Sequence, residues 1–115
     1  KIIKEAYAAA DTLAKEGISC EVIDLRTVRP LDINTILESV KKTNRLVILE
    51  EAWPFGNVST EITYQVQEKA FDFLDAPIIK INTADTPAPY SPNLLKEWLP
   101  NSDDVVKAVR KVLYK

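Results

Sequence analysis

Residues 46–56 read LVILEEAWPFG, and this stretch decides the fold. Its four leading residues, Leu46 to Leu49, form a short apolar run without polar alternation. Such a run is typical of a strand that is covered on both faces, as in a parallel sheet. It therefore predicts a central strand. Because ligands and partners gather at the carboxyl ends of strands in an open α/β sheet, we expect the functional face at Glu50 to Phe55.

The size and composition of the chain narrow the class of protein. A length of 115 residues predicts one domain, residues 1–115, that is large enough to bury a core. A net charge of -2 gives no electrostatic reason to bind nucleic acid or an anionic membrane. No apolar run approaches the ~20 residues that cross a bilayer. We therefore expect neither a nucleic-acid partner nor a membrane partner.

The sequence lacks the residues on which several common kinds of functional site depend. The sequence has no histidine, which is the commonest general base and metal ligand near neutral pH. Its only glycines, Gly17 and Gly56, cannot supply a dinucleotide fingerprint or a phosphate loop. Cys20 has no histidine to activate it, and Asp24 with Asp85 make too few ligands for a metal. We therefore predict no catalytic, no cofactor-binding and no metal-binding residue in this chain.

Apolar periodicity predicts the remaining elements. In the first half of the chain we expect a helix over 2–16 that stops at Gly17, a strand over 20–25, a turn over 26–31, a helix capped by Asp32 and the strand over 45–50. In the second half we expect a helix capped by Asn57, a strand over 78–81, a short helix after Ser91 and a last helix capped by Ser102. The short helix is expected to bury Leu94, Leu95, Trp98 and Leu99. This is the rhythm of parallel crossover units, except that the first helix has no strand before it. With Lys1 at its start and no methionine, the chain is expected to be a piece of a longer polypeptide.

Two segments have two open interpretations each. Trp53 and Phe55 could anchor an interface, because aromatic residues are enriched at interaction hot spots, or they could pack in the core. The irregular stretch 82–101 is long enough to suggest a functional arm. Within it Pro87, Pro89 and Tyr90 could form a rigid arm on another subunit, or fold back on their own domain.

Charged residues receive mainly structural interpretations. Glu50 and Glu51 could be a general acid and base, but adjacent residues at a strand end point in different directions. We therefore expect them to accept backbone hydrogen bonds or to pair with Arg26 or Arg29. The last helix carries a basic strip that we expect to be solvated, made of Lys107, Arg110, Lys111 and Lys115.

Several motifs together resemble one family. They are ISCEVIDLRTVRPLDINTILESVKKTNRLVILEEAWP, AFDFLDAPI and TADTPAPYSPNL, in that order along the chain. They are similar to the carboxyl-terminal domain of the pyruvate dehydrogenase beta subunit, a transketolase-superfamily domain, over about Lys1 to Lys115. The resemblance implies a three-layer α/β/α fold around a mostly parallel mixed sheet with one antiparallel strand. The first strand of the family is missing from this chain, and Ala52 stands where the family usually has glycine, so this turn needs an ordinary backbone or carries strain.

The resemblance also implies a function. The full enzyme oxidatively decarboxylates pyruvate on thiamine diphosphate and magnesium and passes acetyl to lipoamide, while this domain binds no cofactor. The implied partners are the pyruvate dehydrogenase alpha subunit, a second beta subunit and the dihydrolipoyl acyltransferase core. The implied location is the bacterial cytoplasm, or the mitochondrial matrix in a eukaryote. The candidate interface residues are Glu50, Glu51, Trp53, Pro54, Phe55, Pro87, Pro89 and Tyr90.

Two alternatives remain open from the sequence. The domain could belong to a branched-chain 2-oxo acid dehydrogenase or another transketolase-superfamily enzyme, because substrate contacts lie outside this chain. A different class is a stand-alone receiver-like or ligand-binding α/β module. Such a receiver needs an acidic cluster and a lysine at neighbouring strand ends, which Glu50, Glu51 and Lys80 imitate poorly.

Overall fold

The computed structural model describes residues 2–25 and 31–115. The predicted turn over 26–31 and the predicted ion pairs of Arg26 and Arg29 therefore lie outside the described residues, apart from Leu31. The elements, in chain order, are α1 (Ile2–Ala14), α2 (Ile33–Thr43), β1 (Val47–Leu49), α3 (Val58–Ala70), a 3-10 turn (Phe71–Phe73), β2 (Ile79–Ile81), α4 (Pro92–Trp98) and α5 (Ser102–Val112).

The sheet lies between two helical layers, which confirms the α/β class. Strands β1 and β2 run parallel, with Val47 opposite Ile79. On one face, α2 and α3 form an apolar cluster that packs against Ile48. On the other face, α1 and α5 form a second cluster that packs against Leu49 and Ile81. The expected antiparallel strand is not found in the described ranges, where β1 and β2 are the strands present.

The predicted strand over 20–25 is wrong for this structure. The backbone from Cys20 to Leu25 is irregular and makes no backbone hydrogen bond to another described residue. A strand exists only where a neighbouring edge pairs with it. Here the edge of β1 that does not pair with β2 is separated from this segment by a cavity of about 390 Å³. Burial raises the pKa of the Cys20 thiol, which is half-buried at the wall of that cavity.

Local signals at the helix ends are mostly followed. The Asp32 carboxylate accepts a hydrogen bond from the Thr35 N–H at 3.2 Å, as a helix N-cap does. Gly17 has a φ of +81°, which suits the residue that stops α1. The prediction of Ser102 as a cap is wrong by one position. Asn101 caps α5 instead, in a reciprocal capping box with Asp104.

Helices α1 and α5 run side by side in the same direction. Near their amino ends, the Ser102 N–H donates to the Glu5 carboxylate at 3.0 Å. Near their carboxyl ends, Arg110 binds Glu16 at 2.6 Å, so this member of the basic strip is paired. The carboxyl end of α5 lies at the start of β1, because the Arg45 side chain donates to the Val112 carbonyl at 2.9 Å. Both helices are therefore antiparallel to β1.

The predicted burial of α4 is only partly right. Leu95, Trp98 and Leu99 are half-buried, whereas Leu94 is exposed. A short helix with no fully buried residue is attached through a few side chains rather than a continuous apolar stripe. Among the helices described, none combines the length and the apolar character that crossing a bilayer requires.

Candidate functional site

The candidate site consists of two loops at the carboxyl end of the sheet. The first, which we call the corner, comprises residues 50–57 and connects β1 to α3. The second, which we call the arm, comprises residues 82–91 and connects β2 to α4. Because β1 and β2 are parallel neighbours, both loops leave the sheet at the same end, the carboxyl end of the strands.

Glu50 ties the corner to both neighbouring elements. Its carboxylate accepts hydrogen bonds from the Ser59 hydroxyl at 2.8 Å and the Ser59 N–H at 3.2 Å. It also accepts one from the Asn82 amide at 2.9 Å. Since Ser59 lies in the first turn of α3, Glu50 satisfies a free N–H of that helix. This is the structural role predicted for Glu50, whereas Glu51 is exposed.

The backbone of the corner is held by side chains. Asn57 occupies the cap position of α3 but makes no capping bond there, so its predicted capping role is wrong. Its amide donates instead to the carbonyls of Trp53 and of Phe55, the latter at 3.0 Å. The Lys80 ammonium donates to the Pro54 carbonyl at 2.7 Å. Ala52 keeps an ordinary backbone, because the described non-glycine residues with positive φ are Asn44 and Tyr114.

Two tryptophans hold the arm on its own domain. The indole N–H of Trp53 and that of Trp98 both donate to the Thr86 carbonyl, each at 2.9 Å. The Ala84 N–H donates to the Trp98 carbonyl at 3.1 Å. The first half of the arm thus contacts both the corner and α4. We call the shared contact on Thr86 the indole clamp.

Most of the predicted interface residues are exposed on this fixed backbone. Trp53 is 49% exposed, Phe55 is 89% exposed and Tyr90 is fully exposed. The core-packing interpretation is therefore wrong for Phe55. The other predicted members divide as follows: Glu51, Pro54 and Pro87 are exposed, and Pro89 and Glu50 are half-buried. Exposed aromatic rings on a backbone that hydrogen bonds hold in place are suited to contact with another surface.

The sequence analysis missed the supporting roles of the residues beneath this surface. The roles of Asn82 and Lys80 could have been found, because both residues lie beside the end of β1 once the parallel pairing is assumed. Ser59 and Trp98 could not, since their contacts depend on how a helix docks. Their roles became visible only with the hydrogen bonds of the folded chain.

The geometry also limits the chemistry of the strand ends. A receiver-type site needs an open acidic cluster and a free lysine, but the carboxylate of Glu50 is occupied by Ser59 and Asn82. The ammonium of Lys80 is likewise occupied, by Pro54 and Thr60, each at 2.7 Å. In the part of the chain that the structure describes, no three cysteine or carboxylate side chains are grouped to hold a metal.

Comparison with known proteins gives a consistent result. The family described as "Transketolase, C-terminal domain" matches residues 1–105. A pyruvate dehydrogenase E1 component subunit beta of Rickettsia felis is 54% identical over 112 residues, which cover 97% of this chain and 34% of that protein. A mitochondrial subunit beta-2 from Oryza sativa is 49% identical over 115 residues, or 100% of this chain and 31% of that protein. The chain thus spans about a third of the length of these relatives.

Proposed function

Because this chain belongs to the transketolase C-terminal domain family, we propose that it is the assembly domain of a pyruvate dehydrogenase beta subunit. On this proposal the whole chain, residues 1–115, is one domain of a longer polypeptide. The reaction takes place elsewhere in that enzyme, and this domain contributes contact surface. The relatives of similar sequence support the proposal, since they are pyruvate dehydrogenase beta subunits of bacteria and of mitochondria.

The observation that carries the proposal is that exposed aromatic side chains lie on or next to backbone that hydrogen bonds hold in place. Phe55 lies on a corner that Lys80 and Asn57 hold in place. Tyr90 follows the part of the arm that the indole clamp fixes. Exposing such rings to water is unfavourable, and a backbone that is fixed beforehand loses little entropy when a partner covers them. An interface made by the corner and the arm explains both features.

The proposed partners follow from the same assignment. We assign the corner and the second half of the arm, residues 87–90, to contacts with a second beta subunit and with the alpha subunit. The dihydrolipoyl acyltransferase core is a further proposed partner, for which the exposed Lys107 and Lys111 on α5 are available. We place the protein in the cytoplasm of a bacterium, or in the mitochondrial matrix if its gene is eukaryotic.

Two observations support the proposal that the cofactor of the enzyme binds outside this domain. A diphosphate favours a helix amino terminus with free N–H groups, but at α3 a carboxylate oxygen of Glu50 already accepts from Ser59. The described carboxylates also form no group that could hold magnesium. We therefore propose that thiamine diphosphate and magnesium act in the full enzyme and that this domain binds neither. Calorimetry with this chain, magnesium and thiamine diphosphate should show no binding, and saturable heat would contradict this assignment.

A second candidate keeps the architecture and changes the substrate. A branched-chain 2-oxo acid dehydrogenase or another transketolase-superfamily enzyme would use the same assembly surface. The relatives named above favour pyruvate. A substrate panel on the assembled full-length enzyme distinguishes these cases, because preferential turnover of a branched 2-oxo acid would replace pyruvate in the proposal.

The assembly role is tested with the full-length beta subunit and its alpha subunit. We expect Phe55→Asp to weaken assembly, because it places a charge where an apolar ring meets the partner. Analytical ultracentrifugation should show dissociation at a concentration at least about tenfold higher than for the wild type. Because Phe55 is 89% exposed in the single chain, the substitution should leave the fold intact.

The matched control is Phe71→Asp, which charges another exposed phenylalanine on the 3-10 turn after α3. It should assemble like the wild type. Equal assembly of the Phe55 variant and the wild type would remove the corner from the interface. The whole assignment would be contradicted if the beta subunit did not assemble with the alpha subunit and decarboxylated pyruvate at full rate without it.

A further inference from the structure

The surface around Trp53 combines an aromatic ring with acidic side chains. The indole N–H of Trp53 donates to the Thr86 carbonyl, and the residue is still 49% exposed. Glu51 lies two residues before this tryptophan, and Asp85 lies directly before Thr86; both carboxylates are exposed. We call these two carboxylates the rim. The indole thus lies where an acidic part of the corner meets an acidic part of the arm.

Backbone contacts hold the two sides of the rim together. The Thr83 N–H donates to the Ala52 carbonyl at 3.0 Å. The contact of Trp53 with Thr86 joins the same two loops further along both of them. Each rim residue is adjacent in sequence to a residue that makes one of these contacts. The ring and the rim therefore belong to one patch, with a backbone that is fixed before any partner binds.

The two loops bring negative charge and no positive charge to this patch. Over residues 50–57 and 82–91 the charged side chains are Glu50, Glu51 and Asp85. The ion pairs found among the described residues use other carboxylates than the rim. The ammonium of Lys80 contacts the corner, but it is already occupied by the Pro54 carbonyl and the Thr60 hydroxyl. A partner that covers the patch must therefore supply the positive charge itself.

We propose, on the basis of the assembly role proposed above, that this patch binds an arginine side chain of a different chain, the alpha subunit. A guanidinium group binds a carboxylate through two parallel hydrogen bonds and also stacks on the face of an indole ring. The ammonium of lysine is a compact, strongly hydrated charge that cannot form the planar contact. A half-exposed indole between two carboxylates matches both properties of arginine.

A second copy of this chain does not fit the same patch. In a two-fold contact each subunit presents the same surface, so the rim would face carboxylates only. Like charges brought together at an interface weaken binding. The chain that covers Trp53 therefore differs from this one. Contacts with a second beta subunit are then made by other residues of the corner and the arm.

The first test reverses one charge of the rim in the full-length beta subunit. Asp85→Lys should raise the concentration at which the beta subunit dissociates from the alpha subunit at least about tenfold, measured by analytical ultracentrifugation. Asp72→Lys is the matched control, because it makes the same change at an exposed aspartate on the 3-10 turn. The control should assemble like the wild type. Equal assembly of Asp85→Lys and the wild type would overturn the proposal.

Comparison with Phe55→Asp separates this inference from the assembly role itself. If Phe55→Asp weakens assembly and Asp85→Lys does not, the assembly role stands and the arginine site is wrong. If neither substitution weakens assembly, the corner and the arm lie outside the interface, and both proposals are overturned. If Asp85→Lys changes the self-association of the beta subunit and not its assembly with the alpha subunit, the patch belongs to a second copy, which also overturns the arginine site.

The second test identifies the side chain that binds the rim. Both the wild-type complex and the Asp85→Lys complex are treated with phenylglyoxal, which modifies arginine, at concentrations where each is assembled. Mass spectrometry should find an arginine of the alpha subunit that is modified at least about fivefold more slowly in the wild-type complex, because the interface shields it from water. Acetic anhydride, which modifies lysine, should show no such difference. A lysine protected in place of an arginine, or equal modification of every arginine in the two complexes, would overturn the proposal.

Discussion

At the scale of single residues, one carboxylate connects three elements of the site. Glu50 follows β1 directly, accepts hydrogen bonds from Ser59 in the first turn of α3, and accepts one from Asn82 at the start of the arm. Ser59 is fully buried in the folded chain, so the hydroxyl and the N–H that it donates to this carboxylate are shielded from water there. We therefore expect the side chain of Glu50 to contribute to the folding free energy, whereas the adjacent Glu51 is exposed to solvent.

The first prediction is that Glu50→Ala destabilises the chain by about 2–3 kcal/mol, because hydrogen bonds to a charged group are lost and buried donors are left unsatisfied. The free energy of unfolding in urea measures this effect. Glu51→Ala is the matched control and should change that free energy by less than about 0.5 kcal/mol. Equal effects of the two substitutions would contradict the structural role of Glu50.

A second residue-scale prediction concerns pH. Hydrogen bonds from the Thr35 hydroxyl, and then from the Thr35 N–H, hold the pKa of the Asp32 carboxyl below its usual value. The folded-state pKa is therefore lower than the unfolded-state pKa. The stabilisation is present above the unfolded-state pKa and is lost as the pH falls through the folded-state pKa.

Asp32→Asn keeps an N-cap acceptor but removes the titrating group. Because the variant lacks the ionising carboxyl, it should lose less stability than the wild type between about pH 5 and pH 3. Urea midpoints across this range measure the difference. Asp32→Ala, which has no acceptor, should be less stable also at neutral pH. An Asn variant with the full pH dependence of the wild type would show that other groups cause it.

At the scale of elements, the sequence predicted the features that depend on neighbouring residues along the chain, but not those that depend on contacts with other elements. The limits of α2 were predictable because Asp32 and Asn44 mark them within the helix itself. The predicted cap of α5 was wrong by one position. Asn101 and Ser102 are both good capping residues, and only the observed backbone conformation shows which of them precedes the first helical residue. The strand over 20–25 could not be judged from its own side chains, because a strand requires an adjacent edge.

The indole clamp gives a prediction for the arm. Trp53→Phe and Trp98→Phe each remove one hydrogen bond to Thr86 and keep an aromatic ring. Each single variant should retain the arm through the remaining indole. The double variant should release it and be cleaved within residues 84–91 several-fold faster than either single variant, because a freed loop is accessible to proteases. Limited proteolysis with mass spectrometry measures these rates.

A double variant that is cleaved no faster than the single variants would mean that Thr86 does not hold the arm. Phe73→Leu is a suitable control, since it changes an exposed aromatic residue on the 3-10 turn that makes no contact with the clamp. It should be cleaved in the arm at the wild-type rate.

At the scale of the whole molecule, the end of the sheet that carries the candidate site was predictable and the contacts within the site were not. The apolar run at Leu46 to Leu49 predicted a strand with loops of interest at its carboxyl end, and the corner does leave β1 at that end. The exposure of Phe55 and the bonds of Thr86 depend on how loops fold over the sheet. No spacing in the sequence encodes those contacts.

The two apolar clusters give the last prediction. Leu13 and Val66 are both fully buried, on opposite faces of the sheet. Leu13→Ala should destabilise the chain by about 2–4 kcal/mol, and Val66→Ala should also destabilise it through loss of buried methyl groups. Because the clusters are separate, the effects should add within about 0.5 kcal/mol. Urea unfolding should remain one transition, and two separate transitions would show that the layers fold independently.

The pairing of α1 with α5 has a consequence for biosynthesis. The contacts of Glu5 with Ser102 and of Glu16 with Arg110 join helices from opposite ends of the described sequence. Such contacts close the longest loops in the chain, and the entropy of closing them must be overcome before they form. Ala9 and Leu13 of α1 therefore gain their packing partners on α5 only after nearly all of the described sequence has been translated.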